Sequence, residues 1–390
     1  MRVLIHCQHL LGTGHLVRAA LIAKTLAAEG AEVTLLSGGM PVAGLDKGRA
    51  RLVQLPPVRS LDESFATLVD AHDRPIDDAL RAIRRDLILA ELVAVRPEAL
   101  LVETYPFGRR AFRFELEPLL AAAWGRADGR PVIFSSIRDI LVAKTKPGRV
   151  DEIVAVARSR FDHVLVHADP RVIRLEASFP AASLLADRLA YTGFVADDRS
   201  VVAASWHGEV VVSAGGGAVG EPLLRAALGA RPLSRLAAAP WRLLTGRNLP
   251  QPIFDAVRDA APAGVTIERH RADFPGHLAG ARLSISQAGY NTVLDILRAR
   301  VPAVLIPFSV GAETEQPLRA ALLAEHGIAA VVPEATLDAP SLAVAVDRMA
   351  VQGRQTLGLG PVDLDGARRS AAIIRAAVEG GNLPVLAPNV

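Results

Sequence analysis

Short apolar runs alternate with longer helical stretches along the whole 390-residue chain, and that pattern permits few architectures. Parallel strands cannot be joined by tight turns, so each needs a crossover, which a helix supplies. In the first half strands are expected near residues 3–5, 33–36, 51–55, 99–102, 132–134, 164–166 and 189–191. Helical patterns near 16–29, 77–95, 112–124 and 150–159 fall between them. In the second half strands near 210–213, 241–244, 265–268, 283–286, 303–306 and 330–332 alternate with helices in the same way. The expected fold class is α/β, with two doubly wound parallel-sheet domains. A chain of 390 residues, 51% of them apolar, exceeds one compact core and has the material for two.

The polar, turn-like Ala196-Asp197-Asp198-Arg199-Ser200 marks the boundary. The expected division is an N-terminal domain over 1–195, a second domain over 207–363, and a last helical pattern in 364–390 packing back on the first. A single cysteine, Cys7, excludes an intramolecular disulfide and reads as a small core residue. Net charge is only +3, and the basic clusters Arg109/Arg110/Arg113 and Arg81/Arg84/Arg85 read as solvated helix faces. No aromatic-studded basic platform suggests a nucleic-acid partner. His6, Gln8 and His9 interrupt any signal-peptide core, and no apolar run reaches transmembrane length. The expected location is cytoplasmic, with peripheral contact at the inner face of the membrane left open.

The chemistry-bearing residues sit where strands end and helices begin. Gly12-Thr13-Gly14-His15 follows the first strand; its glycines let backbone approach a ligand, and His15 stands at a helix start. The positive helix end disfavours imidazolium, so a neutral, base-competent His15 is expected. Gly215, Gly216 and Gly217 follow the first strand of the second half and read as an anion loop. Arg247 ends the next strand, where it can pair with phosphate. Ser286-Gln287-Ala288-Gly289 leads into a helix expected to open at Gly289. Its N-terminus suits a diphosphate, and Asp295, further on, can accept hydrogen bonds from ribose hydroxyls. Glu315 and Gln316 begin a further helix and can reach sugar hydroxyls. No metal-ligand motif is present, and no cofactor is expected.

These motifs, in this order, resemble GT-B glycosyltransferases of family 28, whose members include the peptidoglycan enzyme that adds N-acetylglucosamine to lipid I. The C-terminal half carries most of the resemblance, and the first half matches at its opening loop. The resemblance implies two domains facing each other across a cleft, with a nucleotide-sugar donor held mostly by the second. By position it assigns the ribose to Asp295 and the diphosphate to Ala288, Gly289, Tyr290, Asn291 and Thr292. It assigns the donor sugar to Gln316 with Glu315, the base to backbone near Arg271, and the reacting centre to His15. Two departures stand out: Asp295 where the family usually has Glu, and Glu315-Gln316 in place of an Arg/Gln-Gln pair.

The implied activity is transfer of a sugar from a UDP-linked donor to an unidentified acceptor hydroxyl, metal-independent and inverting. His15 would be the base, assisted by Asp139. The strand-end segments 103–109 and 135–139 would meet the acceptor. Two other readings remain open. Gly12-x-Gly14-His15-x-x-Arg18 also resembles the opening of the UDP-sugar hydrolase of pseudaminic acid synthesis, and a non-catalytic nucleotide-sugar sensor would share the donor site.

Overall fold

A computed structural model describes residues 1–10, 12–61, 67–143, 146–197, 208–215, 220–271, 273–309, 313–353 and 361–386. The chain divides into two units, Met1–Asp197 with Asp363–Val390, and Asp198–Val362.

The first unit runs β1 (Arg2–Cys7), α1 (Gly14–Ala28), β2 (Glu32–Ser37), β3 (Arg51–Gln54), β4 (Arg59–Ser60), β5 (Leu68–Val69), α2 (Asp78–Val95), β6 (Ala99–Glu103), α3 (Arg113–Trp124), β7 (Val132–Arg138), α4 (Arg149–Arg160), β8 (His163–His167) and β9 (Leu189–Tyr191). Seven of these strands form one parallel sheet in the order β3-β2-β1-β6-β7-β8-β9, while β4 and β5 pair antiparallel by themselves. Val3, Leu4, Ile5 and Cys7 are all buried, as a strand covered on both faces must be. Alanines at 19, 20 and 23 let α1 lie close against the sheet, with Leu16, Ile22 and Leu26 filling the space between.

The second unit runs β10 (Val210–Ser213), α5 (Glu221–Ala230), β11 (Trp241–Leu244), α6 (Gln251–Asp259), β12 (Val265–Glu268), α7 (Phe274–Gly280), β13 (Leu283–Ser286), α8 (Tyr290–Ala299), β14 (Ala303–Leu305), α9 (Glu315–Glu325), β15 (Ala329–Val331) and α10 (Ala339–Gln352). Its parallel sheet has the order β12-β11-β10-β13-β14-β15. The last helix, α11 (Gly366–Val378), returns to the first unit. Its Ala371, Ile373 and Ile374 join the cluster that holds Val3, Ile5 and α1.

Both sheets reverse direction once. The first grows from β1 through β2 to β3, then restarts on the other side of β1 with β6; the second reverses between β10 and β13. At such a point the loops leave in opposite directions and open a crevice outside the carboxyl ends of the strands. The helices nearest these points start without side-chain caps: Thr13 precedes α1 and Gly289 precedes α8. Most described helices share this lack of a side-chain cap; the exceptions are α2, capped by Asp77, and α10, with a capping box at Asp338. The sequence placed the helix opening at Gly289, which proves to be the N-cap residue. No described helix is long and apolar enough to cross a membrane.

Neither expected solvated face holds throughout: Arg109 lies before a helix and donates to the Gln8 carbonyl at 2.6 Å, and the other cluster departs at Arg84. Arg81 and Arg85 are surface residues paired with Asp78 and Asp86, but Arg84 is fully buried. Its guanidinium meets Glu115 at 2.7 Å and donates to Gln8 Oε1 at 2.7 Å and to the Gly38 carbonyl at 3.0 Å. Arg84 thereby ties the ends of β1 and β2 to α3, and an arginine fork can serve so many acceptors where a lysine cannot.

Candidate functional site

In the first unit the switch point lies between β1 and β6, and two residues meet there. His15, in the first turn of α1, places Nδ1 2.9 Å from Oε1 of Glu103, the last residue of β6. The His15 side chain is 18% exposed and that of Glu103 is fully buried. Arg18, one turn further along α1, forms a buried ion pair with the same carboxylate oxygen. Thr104 Oγ1 lies 3.2 Å from His15 Nδ1. Thr104 holds φ at +71°, a left-handed conformation that a β-branched residue adopts only under constraint, at a cost of about 1–3 kcal/mol. A Cβ at Gly108 would come within 2.6 Å of its Cγ2, so a glycine there leaves room for the turn.

Burial, opposed by the Glu103 hydrogen bond and reinforced by Arg109 and Arg18, pushes the His15 pKa down to about 3. Burial also works against the Glu103 charge, but Arg18 and His15 outweigh it and hold that carboxyl far below the usual range. Glu103 is therefore an acceptor only, so a neutral His15 that donates to it carries its proton on Nδ1 and a lone pair on Nε2, with Arg18 Nη2 3.1 Å from the same Nδ1. A neutral imidazole oriented by a carboxylate can take a proton from a hydroxyl or from water.

The carboxylate that meets His15 is thus Glu103, a partner the sequence reading did not name beside its expected assistant Asp139. Asp139 is fully buried one residue past β7. His6 and His9 serve packing: His6 Nε2 lies 3.3 Å from Glu115, and His9 Nε2 lies 3.0 Å from the Met40 carbonyl. Burial drives the Cys7 thiol well above its ordinary pKa, which removes it as a nucleophile. At Gly12 an added Cβ would meet nothing within 4 Å, and Gly14 is the first residue of α1.

In the second unit the switch point lies between β10 and β13, and the two glycine-bearing loops meet there. Gly215, just past β10, has φ +73°, and a Cβ on it would stand 3.0 Å from Oε1 of Gln287, just past β13. Gly216 and Gly217 lie outside the described residues. Ala288 is buried and Gly289 has open space where a Cβ would be. No Gly289 side chain caps α8, so the first-turn N–H groups of Tyr290, Asn291 and Thr292 point out of the helix end, where an anion can accept from them. Beneath this turn lies Arg319 of α9, 1% exposed; its Nη1 donates to the Ala288 carbonyl at 3.0 Å, and its guanidinium lies 5.7 Å from the Tyr290 ring centroid.

Asp295 is half-buried on the same face of α8 as Asn291, one turn back. Gln316 Oε1 accepts from the Phe308 N–H at 3.2 Å, which ties α9 to the segment after β14. Glu313 Oε1 accepts from the N–H groups of Glu315 at 2.6 Å and Gln316 at 3.1 Å. Glu315 itself is 4% exposed, so Gln316 offers more surface to a ligand than its neighbour does. Arg247 follows β11 and is exposed. The Arg271 guanidinium is taken up by Asp273, at 2.9 and 3.0 Å, and by Glu268 at 3.2 Å.

Among the described residues no group of three or more His, Cys, Asp or Glu could hold a metal ion. Sequence reasoning missed Glu103 as the partner of His15 and missed Arg319, and it named Arg18 only as part of the opening-loop motif, without a role. The signal for Glu103 was present: a carboxylate ending the wholly apolar run Ala99-Leu100-Leu101-Val102 cannot be buried without a partner.

Residues 215–357 match the family model described as the glycosyltransferase family 28 C-terminal domain. A UDP-N-acetylglucosamine–N-acetylmuramyl-(pentapeptide) pyrophosphoryl-undecaprenol N-acetylglucosamine transferase of Methylococcus capsulatus is 33% identical over 118 residues, 30% of this chain and 33% of its own length. The chain thus spans about a third of that curated relative. Among solved structures, the calicheamicin glycosyltransferase CalG4 superposes with a TM-score of 0.62 at 16% identity, covering 97% of each chain. MurG of Acinetobacter baumannii does so with a TM-score of 0.60 at 16% identity, covering 97% of this chain and 98% of its own. The fold is GT-B, built of two parallel-sheet α/β domains.

Proposed function

We propose that the protein is a glycosyltransferase that moves a sugar from a nucleotide diphospho-sugar, UDP-linked, to an acceptor hydroxyl. The observation that carries this reading is a coincidence of position. The segment that matches the family 28 C-terminal domain begins at Gly215 and takes in Gln287 and the start of α8, which lie together at the second unit's switch point.

In this reading the diphosphate accepts hydrogen bonds from the backbone around Ala288, Gly289, Tyr290, Asn291 and Thr292, and the exposed Arg247 adds charge. As the glycosidic bond breaks, negative charge grows on the diphosphate, and fixed N–H dipoles stabilise that charge without reorganising. Asp295 accepts from the ribose hydroxyls. Gln316 contacts the donor sugar, with Glu315 behind it. The base edges the backbone at Arg271.

The acceptor binds the first unit. Its hydroxyl gives up its proton to Nε2 of His15 as its oxygen attacks the anomeric carbon, and a single displacement inverts that centre. Glu103 holds the imidazole by Nδ1 and stabilises the imidazolium that forms, the role a carboxylate plays behind a histidine base.

The test is a panel of nucleotide sugars, each incubated with and without pooled hydroxyl-bearing acceptors, with release of the nucleoside diphosphate measured. Acceptor-dependent release that falls by about 10²–10⁴ in His15→Ala, with donor affinity within a few fold, supports transfer. Release of free sugar at the same rate without acceptor identifies a hydrolase, with water in the acceptor's place. Tight donor binding without turnover under any condition identifies a sensor.

A further inference from the structure

The chain of polar contacts that begins at His15 does not stop at Glu103. Ser136 pairs with Glu103 in register across β6 and β7, and its hydroxyl lies 2.5 Å from Glu103 Oε2, the oxygen that faces away from His15. The same hydroxyl lies 2.8 Å from Nε2 of His167, the last residue of β8. On its other side His167 places Nδ1 2.9 Å from Oγ1 of Thr192, just past β9. Ser136, His167 and Thr192 are all fully buried.

The chemistry of these groups fixes which way each bond runs. An ionised carboxylate only accepts, so Ser136 donates its one hydrogen to Glu103. The Ser136 oxygen then accepts from His167, which must carry its proton on Nε2. Nδ1 of His167 is left with a lone pair and accepts from the Thr192 hydroxyl. The opposite direction would leave a buried carboxylate oxygen without a donor, and bonds to a charged acceptor are the stronger ones. The last link is the weakest, because the Gly193 carbonyl, 2.8 Å from Thr192 Oγ1, competes for the same hydrogen.

We propose that Ser136, His167 and Thr192 form a positioning arm that holds Glu103 in the rotamer presenting Oε1 to His15, and so fixes the His15 proton on Nδ1 and its lone pair on Nε2. The inference rests on the reading of His15 as the base. Packing alone does not call for such residues, since an apolar side chain would fill the space beside β8 without the cost of burying an imidazole. Burial and Arg18, opposed by Glu103, depress the His167 pKa to about 3, so the ring stays neutral and can donate from one nitrogen while accepting at the other. Arg18 pairs with Oε1, the oxygen that meets His15, and Arg109 donates to the Gln8 carbonyl.

The test uses full-length protein labelled with ¹⁵N at histidine and reads the ring tautomers from long-range ¹H–¹⁵N correlation spectra at neutral pH. The wild-type protein should show His167 protonated on Nε2 and His15 on Nδ1. In Ser136→Ala, His15 should become a mixture of tautomers, and Ser136→Thr, which keeps the hydroxyl, should restore the single form. Where turnover is measurable, kcat of Ser136→Ala should fall by about 10–100-fold, the range seen when outer partners of metal-bound histidines are removed, with donor KM nearly unchanged. His167 protonated on Nδ1 in the wild type, or an unchanged His15 tautomer in folded Ser136→Ala, would overturn the proposal. The wild-type spectrum decides the first point even if the variant does not fold. The tautomers do not depend on catalysis, so a His15→Ala variant with full turnover would refute the base reading separately.

Discussion

Mild acid should loosen the first unit, and the size of the effect follows from two histidines, His167 buried and His15 part-buried. His15 and His167 each have a folded pKa near 3 against an ordinary value of 6.5. A histidine depressed in the folded state contributes stability that is fully present above its unfolded value and is lost as pH falls toward its folded value. Below pH 6.5 the unfolded chain takes up protons that the folded chain refuses, so stability falls with slope 2.303RT per group. Between pH 7 and pH 5 each ring costs about 2 kcal/mol, or about 4 kcal/mol together. His9 and His163, in the same unit, are also held low by burial and act in the same direction. Glu103 adds little above pH 5, because its ordinary value is 4.5. Amide hydrogen exchange measures this directly once intrinsic rates at the two pH values are divided out. Protection of amides in β1, β6, β7 and β8 should fall by about 10³-fold, while amides of the second unit serve as a reference in the same sample. His167→Gln, which keeps hydrogen bonding without titrating, should remove about half of the fall. A loss below tenfold, or one shared equally by both units, would refute the argument.

Asp295→Ala should weaken UDP-sugar binding by about 1.5–3 kcal/mol with the fold intact, and unchanged affinity by calorimetry would remove Asp295 from the ribose site. Glu103→Gln leaves the Arg18 charge buried without its carboxylate and should lower stability by about 3–5 kcal/mol, read from the urea midpoint of the first unit's transition. Gly215→Ala forces a side chain into φ +73°, at about 1–2 kcal/mol, and should weaken donor binding by displacing Gln287. UDP at about 100 times its dissociation constant, in the presence of a chelator, should stabilise the second unit by roughly 2.7 kcal/mol; stabilisation only after Mg²⁺ or Mn²⁺ is added would refute a metal-independent site.

The architecture was readable because a buried parallel strand must be a short apolar run and its crossover must be helical. The runs 99–102 and 283–286 gave β6 and β13 almost to the residue. The second unit's loop was readable because its parts are close in sequence: Ser286 through Asp295 is one strand end, one turn and one helix. The first unit's site was not, because His15 and Glu103 are 88 residues apart and meet only through strand order. Asp139 was expected to assist His15, and Glu103, which ends β6, was expected only among the segments that meet the acceptor. Expected as residues 132–134, β7 in fact continues to Arg138, which sets Ser136 opposite Glu103 and leaves Asp139 beyond the sheet. Arg84 misled for a related reason: a helical arginine between Arg81 and Arg85 looks solvated, and only the fold reveals the acceptors around it.

The return of α11 to the first unit sets an order of assembly that runs against the order of the sequence. Residues 198–362 form one continuous stretch, so the second unit has all its parts once that stretch is synthesised. The first unit, begun at Met1, still lacks Ala371, Ile373 and Ile374, which cover α1 and the β1 side of its core. Domains form as units during synthesis, usually the N-terminal one first. Here the N-terminal unit waits with apolar surface uncovered until the chain has passed residue 374, and the unit that begins second can finish first.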